Sequence, residues 1–192
     1  LKPTIDSKKF YSMFKSVNGN PESGLRSTSY VKGFYIDIFD KRFNYEGLVK
    51  YLRSIINQYV NSRSQIKEVK DSPEDTFGLV ADAFSVMRQN CDFRQAFCQV
   101  LIYAFLECVL GAPKIMSRYE LDTYYSSDQL PNDGVHLLFL KDLPETQRYQ
   151  LVYGASCTND TIEKVAKDAV DKVKQIKGNL ARARMVLNPS TM

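Results

Sequence analysis

Apolar and polar positions recur along the chain with two different periods, and these divide it into helices and strands. Tyr30–Phe39 sets Val31, Phe34, Ile36 and Ile38 among polar neighbours, in the β-branched and aromatic types that strands favour, and predicts a strand. In Asn44–Val60 the residues Leu48, Val49, Leu52, Ile55, Ile56, Tyr59 and Val60 return every three or four positions, which predicts a helix with one apolar stripe. Ahead of these, Lys2–Ser16 is weakly patterned, and Asn18-Gly19-Asn20-Pro21 marks Val17–Thr28 as a loop. Asn61–Glu74 is polar and predicts a surface connection. Thr76–Arg88 predicts a second helix, with Leu79, Val80, Ala83 and Met87 on one side.

Asp92–Leu110 differs from both helices. Its apolar residues cover nearly the whole circumference, so it predicts a central, buried helix that ends at Gly111. Gln95, Gln99, Tyr103 and Glu107 are the exceptions, four residues apart, and form one polar stripe. The plainer reading puts that stripe on an outer edge facing solvent. The functional reading aims Gln99 and Glu107 at a site beside a sheet. Lys114–Asp122, Gly134–Leu140 and Tyr149–Gly154 follow as strand-like runs, with Asp142–Arg148 as a hairpin connection. Thr158–Ile176 predicts a third long helix, ended by Gly178. There is no internal repeat. Helix, three strands, helix predicts an α/β fold, a sheet covered by helices. A chain of 192 residues suits one compact domain. Within it lie a poorly patterned segment (1–28), a strand-helix-helix region (29–90) and a core (91–192).

Composition narrows the class. Hydrophobic residues make up 44% and charged residues 25%, which excludes a disordered or low-complexity chain. The most apolar stretch, Val100–Ala112, is broken by Glu107, so no membrane partner is expected. The net charge of +4 is too mild to argue for nucleic acid by itself. It is uneven, however: Glu163–Arg184 holds seven basic residues against three acidic ones. A solvated helix face is the plainer reading, and an anionic partner the other. The four cysteines form no CxxC and His136 is the one histidine, so no zinc site is expected. With no secretory signal, the thiols point to a reducing, cytoplasmic setting. Leu1 in place of an initiator Met is what a fragment would show.

Few residues offer chemistry on their own. Asp133, between Asn132 and Gly134, is either a turn aspartate or an oxygen ligand for a divalent cation at a strand edge. His136 and Cys157 read as structural. Ser156 lacks the GxSxG setting of a nucleophile elbow.

The order of elements resembles the PD-(D/E)XK nuclease core. Tyr30–Phe39 with the following helix, LIYAFLECVLGAPK (Leu101–Lys114), SRYELDT (Ser117–Thr123), DGVHLL (Asp133–Leu138) and YQLVYG (Tyr149–Gly154) look like the HamA family, nuclease subunits of the bacterial Hachiman antiphage system. The resemblance covers most of residues 30–176. It implies a mixed sheet flanked by helices, in which a helix supplies Glu, a strand supplies Asp and the next strand supplies Glu-x-Lys. It also implies DNA and a helicase subunit of the HamB type as partners. Only Asp133 keeps the pattern. Gln99 stands where the helix Glu would be, Ala155 replaces the strand Glu, and Cys157 replaces the Lys. One carboxylate makes a poor Mg²⁺ site. The expectation is a nuclease-fold subunit without ordinary metal-dependent cleavage and with no cofactor, whose Lys164, Lys167 and Lys174 contact DNA. An active Mg²⁺ nuclease with a rearranged site and a protein–protein module remain the alternatives.

Overall fold

A computed structural model describes residues 1–19, 31–71, 76–90, 93–118, 120–121, 134–154, 156, 161, 163–164, 167–168, 170–171 and 174. The fold is mixed α/β. The chain divides into two units, Asp6–Ser54 and Leu1–Ile5 with Ile55–Met192.

In the smaller unit, Asp6 caps α1 (Ser7–Met13) by accepting from the Lys8 amide at 2.9 Å. β1 (Phe14–Gly19) then pairs antiparallel with β2 (Val31–Ile36), Phe14 opposite Ile36. Phe10 lies at the centre, fully buried, stacked on Phe14 at 4.8 Å and edge-on to Phe34 and Tyr51. This replaces the weak pattern expected over 2–16 and the start of the loop expected over 17–28, whose residues 20–28 lie outside the described residues. Apart from Phe14, Phe10 finds its apolar partners far along the chain, so no sustained local period announces it. The strand expected over Tyr30–Phe39 breaks at Asp37. Its amide donates to the Met13 carbonyl at 2.8 Å and its carboxylate accepts from the Ile38 amide at 3.1 Å. Beyond the break, β3 (Ile38–Phe39) and β4 (Arg42–Phe43) form a short hairpin. Asn44 caps α2 (Tyr45–Val60) through the Gly47 amide at 2.9 Å.

The larger unit takes the end of α2 and adds α3 (Arg63–Asp71), α4 (Thr76–Asn90) and α5 (Phe93–Cys108). α3 occupies part of the expected surface connection. A capping box starts it: the Ser62 amide donates to Gln65 Oε1 at 2.8 Å, and the Gln65 amide donates to Ser62 Oγ at 3.2 Å. α5 is the central helix the pattern predicts, and Gly111 leaves it with φ of 63°. β5 (Lys114–Met116), β6 (Gly134–Phe139) and β7 (Tyr149–Gly154) form a sheet in that order, both ladders antiparallel. β5 is shorter than expected because Ser117 starts a helical turn. Its amide and hydroxyl both donate to Glu120 Oε2 at 2.7 Å, and the Glu120 amide donates back to Ser117 Oγ. Residues 163–164, 167–168, 170–171 and 174 of the predicted third long helix are helical.

Candidate functional site

α5 carries its polar stripe inward. Gln99, Tyr103 and Glu107 are 3%, 1% and 1% exposed, so the solvent-facing reading of the stripe is wrong. The cause lies in partners distant in sequence. Glu107 Oε2 accepts from the Thr4 amide, from Thr4 Oγ1 at 2.8 Å and from the Ile5 amide at 3.1 Å. Glu107 Oε1 accepts from the Lys114 amide at 2.9 Å. A buried carboxylate is tolerated only when donors surround it, and this one has four. Tyr103 meets Thr4 through its hydroxyl.

The Lys114 side chain runs to the C-terminus of α2. Its Nζ donates to the carbonyls of Gln58, Tyr59 and Asn61, which the helix end leaves without intrahelical partners. Arg63 ties the same region together, donating to the Lys2 carbonyl at 2.8 Å and to the Lys114 carbonyl at 3.3 Å. His136 is 1% exposed and sits 2.7 Å from the Ala112 carbonyl. A carbonyl only accepts, so Nδ1 carries the proton. Glu107 was a sequence candidate. Lys114, Arg63 and Thr4 were not, because their partners lie some 50 to 100 residues away. The cluster has its polar groups turned on one another and its work is structural.

Its titration sets a pH dependence. Burial pushes Lys114 down to about 7 from 10.5, against the pull of Glu107 and Glu120. Burial also lowers His136, and burial followed by the nearby Glu107 raises Tyr103. Between about pH 7 and 10.5 the unfolded chain holds a Lys114 proton that the folded chain has released. Stability therefore rises with pH through that window, with a slope of up to ~1.4 kcal/mol per pH unit from one proton. The His136 contribution has the same sign and is lost as pH falls through the usual histidine range. Tyr103 acts oppositely, and its contribution is lost only as pH rises above 10. Thermal unfolding from pH 6 to 10 is expected to show a rising midpoint, and Lys114→Met is expected to flatten it above pH 7.

The start of β6 and the end of β7 adjoin this cluster: a Cβ on residue 134 would lie 3.0 Å from His136 Nε2. Gly134 and Gly154 face each other in register. α5 comes so close that a Cβ on residue 154 would lie 3.3 Å from Leu106 Cδ1 and 3.6 Å from Ile102 Cγ2. Gln99 precedes Ile102 by three residues and Leu106 by seven, so it stands on that same face. Asp133, Ala155 and Cys157 lie outside the described residues. Among the described residues no group of three His, Cys, Asp or Glu side chains could hold a metal ion. No described helix is long and apolar enough to cross a membrane. Lys164, Lys167 and Lys174 are exposed on helical backbone, and Lys174 Nζ lies 3.3 Å from Asp171 Oδ1.

No curated protein and no solved structure matches the chain. A family model does: HamA matches residues 12–189, nearly the whole length. The chain thus belongs to the HamA family, the subunits that mark the Hachiman antiphage defence system.

Proposed function

We propose that this chain is a nuclease-fold subunit of Hachiman that acts on DNA with a helicase partner and lacks ordinary metal-dependent cleavage. The observation that carries the reading is the pairing of Gly134 with Gly154 under the α5 face that bears Gln99. Asp133 precedes one glycine in sequence and Ala155 follows the other. Three segments that a PD-(D/E)XK site draws on thus run to one place. The chemistry there has changed. Gln99 offers a neutral amide and Ala155 offers nothing. Cys157 offers a soft thiol and Asp133 one carboxylate. That donor set does not suit Mg²⁺, which takes hard anionic oxygens. A rearranged site gains no support from the other nearby acids that are described. Glu107 is surrounded by four donors and Glu120 caps the turn at Ser117. On this reading the chain binds DNA without cutting it.

Lys164, Lys167 and Lys174 follow one another at spacings of three and seven, along one side of a helix, and offer three ammonium groups to phosphates. Duplex binding measured from 50 to 200 mM salt tests this. Each phosphate contact contributes about 0.9 to the slope of log affinity against log salt. Changing all three lysines to Gln is expected to flatten the slope by two to three such increments. An unchanged slope removes the patch from the DNA interface.

A further inference from the structure

The charge of the chain is divided unequally between its two units. Asp6–Ser54 holds nine basic and five acidic residues, so the entire net +4 falls within it. This unit also carries the exposed β3–β4 hairpin. Phe39 faces Arg42 across it, and Ile38 faces Phe43 on its other side. Both sides are open: Phe39 is 77% exposed, Ile38 56% and Phe43 48%. Tyr45, 61% exposed, follows with its ring 5.9 Å from that of Phe43. Apolar rings that could have been buried stand in water beside Lys41 and Arg42, which are exposed too.

The turn adds a second, independent observation. Asp40 and Lys41 have φ of 48° and 60°, the left-handed pair that a two-residue hairpin turn requires. Aspartate tolerates this conformation, but lysine is strained where glycine would not be. An ammonium group is thus held at the hairpin tip against the local preference of the backbone, and strain of this kind gathers at functional sites.

We propose that the Ile38–Phe43 hairpin contacts single-stranded DNA, with Phe39 stacking on a base and Lys41 and Arg42 meeting the flanking phosphates. Aromatic faces beside cations are the pairing that unpaired strands select, because a duplex hides the faces of its bases. Of the acids nearby, Asp37 lies 3.7 Å from Lys15 and accepts from the Ile38 amide, and Asp40 and Glu46 match Lys41 and Arg42 in number, so the excess positive charge belongs to the unit as a whole. The choice of DNA over RNA rests on the reading of the chain as a DNA-acting subunit.

The test is fluorescence anisotropy of the full chain with a labelled oligothymidine, the same strand as a duplex, and oligouridine, at two salt concentrations. The parent is expected to bind the single strand more tightly than the duplex. Phe39→Ala is expected to weaken that binding by about tenfold or more. Arg42→Gln should reduce the salt slope by about one unit. Lys41→Gly is the decisive variant. It relieves the strained φ, so a loss of affinity there cannot be assigned to unfolding. Phe39→Ala and Lys41→Gly both within twofold of the parent would overturn the inference, as would a parent that prefers duplex. A parent that binds duplex through its lysines, with the hairpin variants silent, overturns the hairpin alone. A parent that binds no nucleic acid overturns both readings and leaves a protein as the partner of the exposed rings. Equal affinity for oligouridine keeps the hairpin contact and removes the choice of DNA.

Discussion

Glu107→Ala is expected to be the most destabilising single change in the protein. It removes the acceptor of four hydrogen bonds at a position 1% exposed, leaving the amides of Thr4, Ile5 and Lys114 facing a void. It also strips the Lys114 ammonium of the carboxylate that favours its charge. Breaking one partner of a buried charged network costs about 3–5 kcal/mol, a large share of the ~5–15 kcal/mol that a domain has. At ~2–4 °C per kcal/mol for a chain of this size, the unfolding midpoint should fall by about 10 °C. Glu107→Gln should lose less. It keeps one oxygen acceptor but turns an NH₂ towards either the Thr4 and Ile5 amides or the Lys114 amide. Amide exchange supplies the local readout: the amides of Thr4 and Ile5 should be protected in the parent and lose protection first in the variants. A Glu107→Ala midpoint within 2 °C of the parent, with those amides still protected, would mean that the cluster does not hold the Leu1–Ile5 segment.

That cluster also shows where sequence reading stops. The four-residue spacing of Gln95, Gln99, Tyr103 and Glu107 was legible, as was the helix that carries it. Which way the stripe faces was not. The answer depends on Thr4, about a hundred positions away, and on Lys114, whose own partners lie more than fifty positions back. A period reports a face but not what covers it. α3 was missed for a different reason. Its polar composition suggested a connection, although the Ser62-x-x-Gln65 capping box was present in the sequence and names a helix start. The same signature at Ser117-x-x-Glu120 would have shortened the strand expected over Lys114–Asp122. α1 and β1 carried no usable period, because Phe10 stacks on Phe14 across the junction of helix and strand and is otherwise covered by Phe34 and Tyr51, far along the chain. α2 and α4 were legible because each buries one face of its own period, α5 because it is apolar nearly all round, and β6 and β7 as short aliphatic and aromatic runs, although neither strand buries an alternating face. Of the candidate site, Gln99 and the glycines flanking the motif are placed by α5 and by the β6–β7 register.

The second large effect is a gain. Gln99→Glu with Ala155→Glu would return two carboxylates to the positions that resemble the nuclease motif, beside Asp133, and Cys157→Lys would return its amine. Each electrostatic stabiliser in an active site is worth about 10²–10³ in rate, so a triple variant that recovers even one of them should rise well above background. Gln99 is 3% exposed, so a lone carboxylate there is costly, and the parent's stability is expected to be kept only with Mg²⁺ present. Unfolding midpoints measured with and without Mg²⁺ would verify this before any rate is compared.

Cleavage of plasmid and linear DNA with Mg²⁺ or Mn²⁺, by the parent chain and by this triple variant, each alone and with any co-purifying helicase, is the most direct test of the central claim. The expected result is an inert parent and an active triple variant whose activity disappears on adding Asp133→Ala. Cleavage by the parent itself, abolished by Asp133→Ala, would contradict the claim and show that other carboxylates complete a working site.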